Sequence, residues 1–187
     1  MQEDLDKAIE VLRNGGTILY PTDTIWGIGC DATNSKAINK VYRIKFRQPQ
    51  KALIVLADSA EMIKEYVFKL PDIALELIEN FRDPITIVYD KARNLPKSIV
   101  PDDGTIAIRI PKHEFCLKLI GMLGKPITST SANLSGDPSP TSFSRVSQEI
   151  KESVDYICKT GQLEVQSPKP STIIRVNDDG HMKIIRN

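Results

Sequence analysis

Leu5, Ala8, Ile9 and Leu12 recur at helical spacing over residues 3–13, and Gly15-Gly16 follows as the stop. The β-branched and aromatic run at 17–20 then reads as a strand. Asn34 or Ser35 can cap a helix running to about Lys45, with Ala37, Val41 and Ile44 as its apolar stripe. The run ALIVLA at 52–57 is short and continuous, the signature of a buried strand. Ser59 caps a further helix, and Pro71 in a first turn opens another that ends near Phe81. Segments 84–89 and 105–110 read as strands, 113–123 as a helix and 126–130 as a short strand. A helix is expected around 142–151, then strands near 155–158, 172–176 and 182–186. Helices and strands alternate, which predicts an α/β or α+β fold on a sizeable mixed sheet. With no internal repeat and no linker composition, the expectation is one domain over 1–187.

Composition changes this picture little. Apolar residues make up 41% and charged residues 26%, as in ordinary globular proteins. No apolar run approaches the ~20 residues that span a bilayer, and the acidic, helix-patterned MQEDLDKAIEVL does not resemble a signal peptide. Cys30, Cys116 and Cys158 are odd in number and far apart, which speaks against a disulfide framework and for a reducing cytoplasm. Without a CxxC, and with only His113 and His181, a zinc site is not expected.

The net charge of +1 does not suit a chain that binds nucleic acid over its whole surface. Locally, Lys40, Arg43, Lys45, Arg47 and Lys51 fall in one stretch with no anion, a focus of the kind that collects phosphates. Lys45 and Arg47 diverge on a helix but share a side in extended chain. Pro49 biases Gln48 away from the helical region, so the helix is expected to fray before Arg47. A solvated helix end is the plain alternative.

Polar residues also gather at strand ends. One strand delivers Thr22, Asp23 and Thr24, after which Gly27 and Gly29 relax the backbone and can let it bend out of the sheet. Another runs into Ser129-Thr-Ser131-Ala-Asn133-Leu-Ser135-Gly136, which alternatively reads as only a polar turn. Arg109, among isoleucines in TIAIRIP, shares a strand face with Thr105. Its partner is either a structural carboxylate or a ligand carboxylate or phosphate. There is no GxxxxGK[ST], no third glycine after Gly27-Ile-Gly29 and no Gly-x-Ser-x-Gly elbow.

In this order, LYPTDTIWGIGCDA, KFR followed by Pro49 and ALIVL, TIAIRIP, STSANLSGDPSP and PSTIIRV resemble the YrdC-like family of threonylcarbamoyl-AMP synthases. The resemblance runs from about Gly15 to Val176. It implies a twisted open mixed sheet flanked by helices around a central, positively charged cavity. It also implies a nucleotidyltransferase that converts L-threonine, bicarbonate or CO2 and ATP, with Mg2+, into threonylcarbamoyl-AMP and pyrophosphate. The product would serve the threonylcarbamoyl modification of adenosine 37 in tRNA, through a downstream tRNA threonylcarbamoyltransferase complex.

Matched motif by motif, Lys45 and Arg47 would meet the nucleotide phosphates and carry the catalytic role. Thr105, Ser131, Asn133, Ser139 and Arg186 would hold the nucleotide. Thr24, Arg109, Ser129 and Ser171 would hold threonine. Many members have Asn-Pro before the apolar strand and a histidine near its end, where this chain has Lys51-Ala52 and Leu56. Lys51 could still meet a phosphate. The chain resembles the short form, without the extra domain of longer members.

Two other readings compete. One is a module that binds double-stranded RNA or tRNA without chemistry, favoured by the cationic stretch and disfavoured by the near-neutral total charge. The other is a paralogue acting on a different carbamoyl or adenylate substrate, as in the related domain of hydrogenase-maturation carbamoyltransferases.

Overall fold

The computed structural model describes residues 1–46, 53–164 and 170–186. Arg47 and Lys51 therefore lie outside the described residues. In chain order the elements are α1 (Gln2–Arg13), β1 (Ile18–Tyr20), β2 (Gly27–Gly29), α2 (Ser35–Ile44), β3 (Ile54–Leu56), α3 (Ala60–Tyr66), α4 (Asp72–Asn80), β4 (Ile85–Tyr89) and β5 (Ile106–Arg109). Then come α5 (Glu114–Leu123), β6 (Ile127–Ser131), a 3-10 turn (Phe143–Arg145), α6 (Gln148–Ser153), β7 (Tyr156–Ile157), β8 (Thr172–Val176) and β9 (Met182–Arg186).

Capping sets several boundaries. The Asn34 side chain accepts from the amides of Lys36 and Ala37, and the Ser59 hydroxyl accepts from that of Met62. Pro71 caps α4 from outside in extended conformation, so that helix begins at Asp72. The single helix expected over 142–151 is two pieces. Ser147 adopts extended backbone and caps α6 with its own hydroxyl, interrupting the helix after the 3-10 turn.

The sheet order is β7-β1-β2-β6-β3-β5-β4-β8-β9, with β1–β7, β3–β5 and β4–β8 parallel and the other neighbours antiparallel. β2 is a correction to the sequence reading. Gly27-Ile-Gly29 does not bend out of the sheet but pairs on both sides. A Cβ on Gly29 would sit 2.4 Å from the Thr128 carbonyl oxygen, so only glycine permits this approach.

One core cluster packs α1 and α5 on Ile18, Tyr20, Leu56 and Ile127. A larger one gathers α2, Trp26, Val55 and the isoleucines of β4 and β5. Alternation along the strands leaves a second set of side chains less covered, among them Ser129, Ser131, Ala107, Val88 and Ile173. These stand on neighbouring strands, as the register pairs Gly27 with Ser131, Ile54 with Ser129 and Val88 with Ala107.

Candidate active site

That open sheet face is the wall of a cleft of about 400 Å3. Seven residues singled out from sequence line it: Thr24, Arg109, Ser129, Ser131, Ser139, Ser171 and Arg186. They come from the 21–26 turn, from β5, β6 and β9, from the loop after β6 and from the residue before β8, separated in sequence and brought together by the sheet. The described lining carries hydroxyls, two arginines and no acidic side chain.

The turn after β1 is built by Thr22, which also lines the cleft and which sequence reasoning passed over as a site residue. Its hydroxyl donates to Ile25 O at 2.7 Å and receives the amides of Thr24 and Ile25 at 3.1 and 3.2 Å. The Thr22 proton being committed to Ile25, the 3.0 Å contact between the two threonine hydroxyls has Thr24 as donor. The Thr24 oxygen keeps its acceptor capacity for a ligand.

Arg109 ends β5 with its side chain 4% exposed, and its Nη1 lies 2.9 Å from Oδ1 of Asp23. The two atoms are in ionic contact, but the N–H is not aimed at the oxygen, and neither atom makes a hydrogen bond among the described residues. The structural carboxylate weighed for this arginine thus exists. Arg109 still lines the cleft, so it can face a ligand as well.

On the far wall, Ser171 shares a 2.7 Å hydroxyl bond with buried Thr86, and Arg186 Nη2 donates to Ser171 O at 2.9 Å. Thr86 is a support that sequence could have flagged, as the one aliphatic hydroxyl inside the strand ITIVY. Ser129 lies beside Gly27, where a Cβ would come 3.3 Å from its hydroxyl.

Lys45, Thr105 and Asn133 do not line the cleft. Lys45 is the C-cap of α2, followed by Phe46 in left-handed conformation at φ 48°. Its side chain turns inward to 2% exposure, and its Nζ donates to Ser131 O at 2.5 Å, to Asn133 O and to Asn133 Oδ1 at 3.0 Å. The Asn133 amide nitrogen donates in turn to Leu134 O and Asp137 O. Lysine and asparagine together knit the loop that carries Ser131 and Ser139 to the cleft. Thr105 donates its hydroxyl to Asp103 Oδ1 at 2.7 Å, ahead of β5.

In the described part of the cationic stretch, Arg43 is exposed but two lysines have protein partners. Lys45 is buried, and Lys40 lies 3.7 Å from Asp155. Nor do the described residues contain a group of three histidine, cysteine, aspartate or glutamate side chains placed to hold a metal ion. The three cysteines are free and buried, and burial pushes the Cys30 thiol up to about 12. No helix among the described residues is long and apolar enough to cross a membrane.

Known proteins share this sequence pattern and fold. A protein of Pseudoalteromonas translucida named threonylcarbamoyl-AMP synthase is 35% identical over 158 residues, which cover 83% of this chain and 84% of that one. Pyrococcus abyssi Sua5, solved in complex with L-threonine, superposes with a TM-score of 0.84 at 31% identity; the match covers 92% of this chain but 50% of the longer one. E. coli YciO superposes with a TM-score of 0.85 at 26% identity over 100% of this chain and 90% of its own. The Sua5/YciO/YrdC family model, described as telomere recombination, matches residues 10–187. On that match, and on the sheet and cleft already described, this chain belongs to the Sua5/YciO/YrdC family.

Proposed function

We propose that this chain is a threonylcarbamoyl-AMP synthase, joining L-threonine, bicarbonate or CO2 and ATP into threonylcarbamoyl-adenylate with release of pyrophosphate. The observation that carries this reading is the cleft lining, with hydroxyls and arginines converging from six separate segments and no carboxylate among the described lining residues. Such a surface suits a substrate set made of a small hydroxy amino acid and a polyanion.

The chemistry needs position more than a protein nucleophile. The neutral threonine amine adds to the carbon of CO2 and loses a proton, giving a carbamate. A carbamate oxygen then attacks the α-phosphorus of ATP, the bond from that phosphorus to the bridging oxygen breaks, and pyrophosphate leaves. Arg109 would take the threonine carboxylate, and the Thr24 oxygen would accept from its ammonium or hydroxyl. Ser131, Ser139 and Arg186 would receive phosphate oxygens and offset charge on the leaving group. Lys45 supports the two serines through the Ser131–Asn133 loop.

The described residues show no carboxylate set for Mg2+, which would enter on the triphosphate as part of the substrate. The product is an activated acyl-adenylate, suited to transfer onto tRNA by a separate threonylcarbamoyltransferase. Three free cysteines accord with a reducing, cytoplasmic compartment.

Purified protein with ATP, Mg2+, threonine and bicarbonate should release pyrophosphate, and omission of either threonine or bicarbonate should stop it. Release that ignores threonine would reject the reading. ATP binding with no turnover would move it to a paralogue with another substrate.

A further inference from the structure

The ion pair behind the threonine end of the cleft does more than steady the fold. The Asp23 side chain is 9% exposed and does not line the cleft, so it cannot touch a ligand there except through its neighbour. Its Oδ1 contacts Arg109 Nη1 at 2.9 Å, and its Oδ2 accepts the Lys112 amide at 3.0 Å. One carboxylate therefore ties the turn after β1 to the end of β5 and to the segment leading into α5. The guanidinium it holds has a buried Nη1 without a hydrogen bond among the described residues, while the residue also borders the cleft.

An unneutralised arginine in this position would face a selection problem. The same cleft is proposed to take a threonine carboxylate with one negative charge and a triphosphate with several. Coulomb attraction to a bare guanidinium grows with the charge of the anion, whereas short, directed N–H···O bonds reward a planar carboxylate. A buried anion at contact distance cancels much of the long-range field and leaves the N–H donors in place. Resting on the synthase reading, we propose that Asp23 is a positioning residue that fixes the Arg109 guanidinium and screens its charge, so that a monocarboxylate, not polyphosphate, occupies the threonine subsite.

The test compares wild type, Asp23→Asn and Asp23→Glu. Readouts are the threonine and ATP KM values, threonine binding by calorimetry, and the pattern of inhibition by inorganic pyrophosphate and tripolyphosphate. For Asp23→Asn the threonine KM should rise about tenfold, with the ATP KM changing much less. Pyrophosphate and tripolyphosphate should also become competitive against threonine, an effect that loss of packing alone would not create. Asp23→Glu keeps the charge but displaces the contact, so its threonine KM should rise without that new competition. Should Asp23→Asn not fold, Asp23→Glu still tests the positioning role, which an unchanged threonine KM, or threonine and ATP KM values rising together, would overturn. Threonine and ATP parameters shifting together, or unchanged inhibition patterns in an active Asp23→Asn enzyme, would overturn the screening role and leave the synthase reading intact. A wild type that neither binds nor consumes threonine would overturn both.

Discussion

Replacing Lys45 by methionine keeps most of the buried stem and removes the ammonium. Four oxygens then lose a donor: the carbonyls of Ser131 and Asn133, the Asn133 side-chain oxygen and, at 3.4 Å, the Ser131 hydroxyl. Each buried acceptor left unpaired costs about 1–3 kcal/mol, and recovering the ammonium's desolvation offsets part of the sum. A net loss of roughly 2–4 kcal/mol follows. In a chain of this size that corresponds to a melting point lower by about 4–16 °C. The loss should be local first. Ser135 N donates to the Lys45 carbonyl and Asp137 N to Leu134 O, so amide exchange should quicken over 131–137 before the sheet opens. In turnover the ATP KM should rise more than the threonine KM, because the loop carries Ser131 and Ser139. Urea unfolding, hydrogen exchange and steady-state kinetics on Lys45→Met check each step. A variant with wild-type stability and wild-type exchange over 131–137, but no turnover, would refute the clamp and return Lys45 to direct phosphate contact.

The sheet gives a steric contrast. Gly29→Ala should destabilise by about 2–3 kcal/mol, as a Cβ cannot share space with the Thr128 carbonyl. Gly27→Ala, meeting only side-chain atoms at 3.3 Å and beyond, should cost less than about 1 kcal/mol; reversed order in urea titrations would contradict the packing described. His113 supplies a pH effect. Burial holds its imidazole below the ordinary 6.5, against the raising influence of Asp23, Glu164 and Glu114. The unfolded chain then binds the extra proton first, so this contribution is complete above that ordinary value and is lost as pH falls below it towards the folded value. The dependence of stability on pH from about 7.5 to about 5.5 should be steeper in wild type than in His113→Gln; parallel curves would reject the assignment.

Most elements were legible because their periodicities are local. Caps such as Asn34 and Ser59 announce themselves a residue or two before the helices they start. β2 was not legible. Gly27-Ile-Gly29 has almost no strand propensity, and what makes it a strand is the room its missing side chains give Thr128 and Tyr20. The 142–151 helix was overdrawn because Ser147, polar and tolerable in a helix, caps a new one instead. The cleft's hydroxyls were visible as clusters at strand ends, but their convergence depends on strand order, which the sequence does not spell out. Arg109 could be seen to need a partner, and two kinds were open. Only the tertiary contact with Asp23 supplies the structural one. Lys45 shows the reverse case. A lysine in a cationic run reads as a phosphate ligand, while the turn at Phe46 and the carbonyls of a loop far along the chain direct it into the protein.

The most direct test of the central claim is mass spectrometry of the product made by purified protein from ATP, Mg2+, L-threonine and 13C-labelled bicarbonate. The account predicts an adenylate whose mass equals AMP joined to carbamoylated threonine, with the label in the carbamoyl carbon. An adenylate of threonine alone without the label, or ATP consumed with no threonine-containing product, would contradict it.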